Sequence, residues 1–376
     1  MKVVIDDKIP FIKGALEDFA KVVYLPGAKT TAADVADASA LITRTRTDCS
    51  ERILGGSNVK FIASATIGYD HIDTAYCDSH KIFWTNAPGC NSSSVAQYIT
   101  SAILNLAVRN NLRLDTMTLG VIGVGNVGSK VAKVGEALGM KVLLNDPPRA
   151  RKEGGEKFSS LGEILSEADV VTCHVPLSNE GDDATFHLAD ASFFRSLKKK
   201  PYFINSSRGE VNDTRALIDA LKAGKIAGAV VDVWENEPDI NKELLSLVDI
   251  ATPHIAGYST DGKANGTSMS IQALAKFFGI RELETWYPAL VPLPENTFIE
   301  TDPAGKSFEE AMLEIVSVSY NVMDDFRRLR NSPETFEKQR GDYPLRREFP
   351  AYTVRNTANL PEKIVDALKK LSFKMG

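Results

Sequence analysis

No apolar run in the sequence approaches the 18 or so residues a membrane span requires. The opening residues, MKVVIDDKIPF, place acids where a secretory signal carries an apolar stretch, so the chain reads as cytoplasmic. Basic charge is not in excess either: 44 Lys+Arg against 49 Asp+Glu leave a net charge of -5 and no long-range field for gathering nucleic acid. Cysteine is scarce. The four, at 49, 77, 90 and 173, are too widely spaced for a CxxC zinc site and too few for a disulfide framework in 376 residues. They read as buried thiols, and no metal is expected. What is present, 43% hydrophobic and 25% charged residues, suffices for proper cores, and the length suggests two or three domains.

The first ninety residues alternate short β-branched runs with helical patterns: Val3-Val4-Ile5, Val22-Val23-Tyr24, Leu41-Ile42-Thr43, Phe61-Ile62-Ala63 and Ile82-Phe83-Trp84. That rhythm predicts a parallel sheet with crossover helices. A more apolar set follows at Leu119 to Gly123, Val142 to Leu144, Val170 to Thr172, Tyr202 to Ile204, Ala229 to Val231 and Ile250-Ala251, as expected of strands covered on both faces. Between the sets, Ser94 to Arg109 has the spacing of a connecting helix. Ala264 to Phe278 reads as another, and a Pro-punctuated linker from Trp286 to Pro294 precedes a helical stretch at Phe308 to Arg330.

Leu119 to Ile122 runs into Gly123-Val-Gly125-Asn-Val-Gly128 and then a helical pattern. In that context the glycines are a dinucleotide fingerprint: Gly123 turns the chain, Gly125 admits a pyrophosphate, and Gly128 lets helix and strand pack. The N–H groups of Asn126 and Val127 at the helix start are placed to hold phosphates. Asp146, eighteen residues after Gly128, suits an adenosine ribose and favours NAD over NADP, although Arg149 and Arg151 nearby leave a phosphate acceptor possible.

Ligands in open α/β sheets bind beyond the carboxyl ends of the strands. Three such ends carry reactive groups: Asn205-Ser206-Ser207-Arg208-Gly209, Asp232 through Glu237-Pro238, and Thr252-Pro253-His254-Ile255-Ala256-Gly257-Tyr258. Oxidising a hydroxy acid requires a base with a pKa near working pH, and His254 fits; Glu237 is the carboxylate to orient it; Arg208 is the fork to clamp a substrate carboxylate. Among His71, His80, His174 and His187, only His174 also lies at a strand end, where it could line the cofactor pocket with Val175 and Pro176.

These segments together resemble the D-isomer-specific 2-hydroxyacid dehydrogenases. The resemblance implies an α/β fold with a Rossmann NAD-binding domain (94–255) inserted in a flavodoxin-like α/β substrate domain (1–93 and 256–284), the active site lying in the cleft. It also implies cofactor contacts at Gly123, Gly125, Asn126, Val127, Gly128, Asp146, Val175, Ser206, Ser207, Arg208, Asp232 and Gly257. Within the family, Thr66 to His71, Asn86 to Asn91, Asp146-Pro147-Pro148-Arg149-Ala150 and Gly257-Tyr258-Ser259 resemble a branch that oxidises 4-phosphoerythronate on the route to pyridoxal phosphate. That branch carries a C-terminal α+β dimerisation domain, here 285–376, and the match places substrate contacts on Thr45, Thr66 and Tyr258.

A phosphorylated hydroxy acid has a second anion that Arg208 cannot also hold. Arg44 and Arg46, flanking Thr45 after Leu41-Ile42, are candidates for it, or else ordinary surface charge; Arg346-Arg347 could reach a partner subunit's site. Two other readings stay open: a dehydrogenase of 3-phosphoglycerate, and a non-catalytic NAD-sensing regulator of the same fold.

Overall fold

The structure, a computed structural model, describes residues 1–376. The chain forms two compact units, Met1–Asn91 with Ser259–Pro292, and Ser92–Tyr258 with Leu293–Gly376. In the first, five strands, β1 (Lys2–Asp6), β2 (Lys21–Leu25), β3 (Ala40–Thr43), β4 (Phe61–Ser64) and β5 (Phe83–Thr85), make a parallel sheet in the order β2-β1-β3-β4-β5. This is the flavodoxin-like order expected. Alternation along β1 serves two cores: Val3 and Ile5 pack with Ile271 and Leu274 of the helix Thr260–Phe278, while Val4 packs with Leu41, Ile53 and Ile62.

The second unit holds a six-stranded parallel sheet of β6 (Thr118–Ile122), β7 (Lys141–Asn145), β8 (Val170–Cys173), β9 (Tyr202–Asn205), β10 (Gly228–Val231) and β11 (Ile250–Ala251). Its order, β11-β10-β9-β8-β6-β7, reverses direction between β6 and β8, which marks the switch point where doubly wound sheets bind ligands. Every strand foreseen from the apolar runs is present to within two residues at each end.

The expected connector forms as Ser92–Arg109, but it is buried on nearly every side. Its apolar stripe faces the dinucleotide core, and its polar stripe meets the C-terminal segment instead of water. Ser94 Oγ donates to Glu348 Oε1 at 2.8 Å, Gln97 Nε2 to the Arg347 carbonyl at 3.0 Å, and Val322 N to Ser101 Oγ at 3.1 Å. The C-terminal segment is α+β, with a short parallel sheet of β12 (Phe298–Ile299), β13 (Thr353–Val354) and β14 (Lys374–Met375). The single helical stretch expected at Phe308 to Arg330 is two helices, Phe308–Ser319 and Val322–Asn331, because Tyr320 turns extended and Asn321 caps the second through Met323 N. These residues share one continuous apolar core with the dinucleotide sheet, so the third region packs as part of the second unit.

The four cysteines are free and buried, and burial pushes the Cys77 thiol up to about 11 and Cys173 to about 12. No helix is long and apolar enough to cross a membrane.

Candidate active site

The glycine turn follows β6. Gly123 has φ +85, and a side chain there would collide with the His174 carbonyl at 2.6 Å; a Cβ on Gly128 would lie 1.9 Å from the Gly123 carbonyl oxygen. Helix, turn and the end of β8 are thus in direct backbone contact, which only glycine permits. The helix Asn126–Ala137 starts without a side-chain cap, and Gly125 faces open space, so the leading N–H groups of Asn126 and Val127 are presented outward. Asp146 follows β7, accepting from Val124 N at 2.8 Å and Arg149 N at 3.0 Å. Arg149 and Arg151, the residues that left NADP open, are committed: Arg149 pairs with Glu153 and the Val124 carbonyl, and Arg151 with Asp183. Val175 packs beside Gly123, and the buried Ser206 Oγ and His174 Nδ1 have no partner within the chain. Open helix N–H groups, a carboxylate beside the turn and unmet polar atoms fit a dinucleotide.

Burial drives the His174 imidazole down to about 3, so it is neutral in the folded protein. Between pH 6.5 and 3 the unfolded chain binds a proton there that the folded chain refuses, so stability falls as pH falls through that window and gains nothing above it. Urea unfolding without cofactor should therefore show wild type losing about 2 kcal/mol more than His174→Gln between pH 7 and 5. Parallel stability curves would show that the folded imidazole titrates normally.

The three reactive loops follow β9, β10 and β11, neighbours in one sheet. The first and second touch: a Cβ on Gly209 would fall 2.1 Å from the Trp234 carbonyl carbon, so the Arg208 loop lies directly on the loop that carries Glu237. Asn205 shapes the Arg208 loop, accepting from Ser207 N and Oγ and donating to the Arg208 carbonyl. Arg208 is half-buried, with Nη1 on the Ser207 carbonyl at 2.8 Å.

His254 Nδ1 donates to Glu237 Oε2 at 2.8 Å, while Glu237 Oε1 accepts from Trp234 N at 2.9 Å. A carboxylate can only accept, so the proton sits on Nδ1 and Nε2 is left as a base. The histidine holds φ +55, left-handed backbone that costs a non-glycine residue about 1 kcal/mol or more. The loop is held there by Asp232. Its main-chain oxygen accepts from His254 N at 2.7 Å, and its carboxylate accepts from Ile255 N, Ala256 N and Thr252 Oγ1 at 2.8, 3.0 and 2.6 Å. Burial pushes that carboxyl up, while His254, the hydroxyl and the two N–H groups pull it back. Tyr98 OH completes the chain by donating to Thr252 Oγ1 at 2.8 Å, and Trp234 Nε1 takes the Thr252 carbonyl at 3.0 Å.

Some expected roles change. Asp232, expected as a cofactor contact, is 1% exposed with both carboxylate oxygens accepting from the histidine loop, so it also braces that loop. Arg346 does not reach outward to a partner's site. It is 4% exposed, bonding Gln97 Oε1 (2.8 Å), the Ser94 carbonyl (2.6 Å) and the Ile255 and Ala256 carbonyls (3.3 Å each), with its guanidinium 3.7 Å from the Tyr320 ring centre. Asp232 thus takes the N–H groups of the segment after His254 and Arg346 takes its carbonyls. Tyr98 and Trp234 carry no sequence signal for the site, since each reads as ordinary core there. His187 bonds Glu235 Oε1 through Nε2 at 2.8 Å.

Gly257 and Tyr258 are half-buried just beyond the brace. In the first unit, Arg44 follows β3 with Nη1 on the Lys8 carbonyl at 3.1 Å, and Thr66 follows β4, its hydroxyl on Ser64 and the Gly68 carbonyl. Thr45 and Arg46 are exposed and line a recess of about 360 Å³ with Asp48, Asp70, His71 and Asp73.

Residues 99–256 match the family model described as "D-isomer specific 2-hydroxyacid dehydrogenase, NAD binding domain", and residues 292–371 match a "Domain of unknown function (DUF3410)". An erythronate-4-phosphate dehydrogenase of Bacteroides thetaiotaomicron is 55% identical over 94% of this chain and 99% of its own. One from Porphyromonas gingivalis is 40% identical over 99% and 100%. Among solved structures, D-lactate dehydrogenase from Aquifex aeolicus, complexed with NAD and lactic acid, superposes with a TM-score of 0.60 at 28% identity, covering 78% of this chain and all of that one. The NAD-complexed D-isomer-specific 2-hydroxyacid dehydrogenase of Lactobacillus delbrueckii gives 0.61 at 26%, covering 74% and 98%. The chain belongs to the D-isomer-specific 2-hydroxyacid dehydrogenase family, in the branch of the erythronate-4-phosphate dehydrogenases.

Proposed function

We propose that the protein oxidises 4-phospho-D-erythronate to (R)-3-hydroxy-2-oxo-4-phosphooxybutanoate with NAD, in the biosynthesis of pyridoxine 5'-phosphate. The observation that carries this is the Glu237–His254 pair at strand ends of a dinucleotide fold, in a chain so similar to relatives bearing that substrate's name. NAD, held by the Gly123–Gly128 turn, Asn126, Val127 and Asp146, supplies the hydride acceptor. His254 Nε2 takes the proton of the C2 hydroxyl, and Glu237 stabilises the resulting imidazolium and fixes its ring. Arg208 holds the substrate carboxylate and the oxygen that becomes a carbonyl, favouring the polarised product side of the barrier. In reverse, the same imidazolium returns the proton.

The test is absorbance of reduced nicotinamide with NAD and 4-phosphoerythronate, beside 3-phosphoglycerate and unphosphorylated erythronate. Turnover of 4-phosphoerythronate far above the others is expected. Preference for 3-phosphoglycerate would replace the substrate, and NAD binding without any turnover would favour the regulator reading. The proposal includes a cytoplasmic location and a homodimer through residues 285–376, where Leu290, Leu293, Phe298, Val318 and Leu345 leave apolar surface exposed. Light scattering of the purified chain checks the dimer.

A further inference from the structure

The proposed substrate carries two anions. With Arg208 assigned to the carboxylate, a second cation is needed beside the histidine loop, and other arginines of this unit are distant or committed. Arg149 and Arg151 follow β7, at the opposite edge of the sheet from β11 and the histidine loop; Arg328 is paired with the buried Asp325, and Arg346 is spent on backbone carbonyls.

Arg340 is different. It stands in the short helix Phe336–Gly341 of the C-terminal segment, its guanidinium 5.8 Å from the Tyr258 ring centre. Tyr258 lies four residues after His254 and packs edge-on against Tyr343 at 5.7 Å. Glu237, the acid on His254, is near enough for its charge to act on Arg340. Burial alone would weaken the hold of Arg340 on its proton, yet Tyr258, Glu337 and Glu237 outweigh that, so it is a firm cation. Its Nη1 pairs with Glu337 at 2.9 Å, but that carboxylate is 51% exposed, and such surface pairs are weak and readily exchanged. Its Nε is buried with no acceptor in the chain, an unmet donor on a charged group.

We propose that Arg340 is the receptor for the phosphate of the substrate, which makes the C-terminal segment a specificity element of the reaction. This rests on the reading that the substrate is a phosphorylated 2-hydroxy acid. A guanidinium fork matches the geometry of phosphate oxygens, and partial burial strengthens the pairing. Tyr258 serves as the platform that aims the fork.

The experiment compares wild type, Arg340→Gln and Arg340→Lys, with circular dichroism and NAD affinity as checks on folding. In Arg340→Gln the preference for 4-phosphoerythronate over erythronate, as a ratio of kcat/KM, should shrink roughly tenfold to hundredfold, chiefly through KM. Competitive inhibition by inorganic phosphate should weaken by a similar factor, with partial recovery in Arg340→Lys. An unchanged ratio and unchanged phosphate inhibition in an active enzyme overturn the inference alone. So does an equal loss on both substrates with a displaced pH profile, which would make Arg340 a positioning residue for Glu237 and His254. Wild type that turns over no phosphorylated 2-hydroxy acid defeats the functional reading, and this inference with it.

Discussion

Replacing His254 by Asn should lower kcat by roughly 10²- to 10⁴-fold while NAD affinity stays at its wild-type value. The size follows from what Nε2 does: with Nδ1–H fixed on Glu237, it is the lone pair that accepts the hydroxyl proton as hydride leaves. Asparagine is the informative substitution because the position has φ +55, a conformation asparagine tolerates far better than alanine does. The Asp232 bonds to the neighbouring N–H groups can then persist, so the loss reports the base and not a collapsed loop. Steady-state nicotinamide absorbance with a parallel binding titration decides it, and turnover within tenfold of wild type would remove His254 from the proton path.

The second large effect is on the C-terminal brace. Arg346→Met should destabilise the protein by roughly 3–5 kcal/mol, because it strips a buried guanidinium from several acceptors that no water reaches and from the Tyr320 face. At roughly 2–4 °C per kcal/mol, thermal unfolding should begin roughly 10 °C lower. Turnover should also fall at temperatures where the variant remains folded, since the Ile255 and Ala256 carbonyls lose the group that counters the Asp232 grip. Arg346→Lys keeps the charge but cannot span these acceptors, so it should recover only part of the stability. Melting indistinguishable from wild type would show that the bonds contribute nothing net.

Strands were readable because they are short β-branched runs between turn signals, and both sheets formed where those runs lie. The reactive loops were readable because chemistry at strand ends leaves a compact signature, and Arg208 with the Glu237–His254 pair follows adjacent strands. The bracing role of Asp232 was not legible, since a carboxylate at a strand end looks the same whether it faces a ligand or a neighbouring backbone. Burial decides that, and burial depends on distant residues. The helix Ser92–Arg109 shows the same limit. Ser94, Gln97 and Ser101 look like a solvated face, and only the fold reveals that residues 322 to 348 cover them. Arg340 and Arg346 share the difficulty, as long-range partners of Tyr258 and Gln97 leave no local pattern.

The placement of Arg346 also sets an order of events during synthesis. His254 leaves the ribosome 92 residues before Arg346 does, which at 5–20 residues per second is roughly 5–20 s. Through that interval the nascent chain already carries both sheets and the glycine turn, yet the segment after His254 is gripped only by Asp232. Catalytic competence is therefore timed to the last part of translation, when the C-terminal segment docks and Arg346 takes the carbonyls after His254.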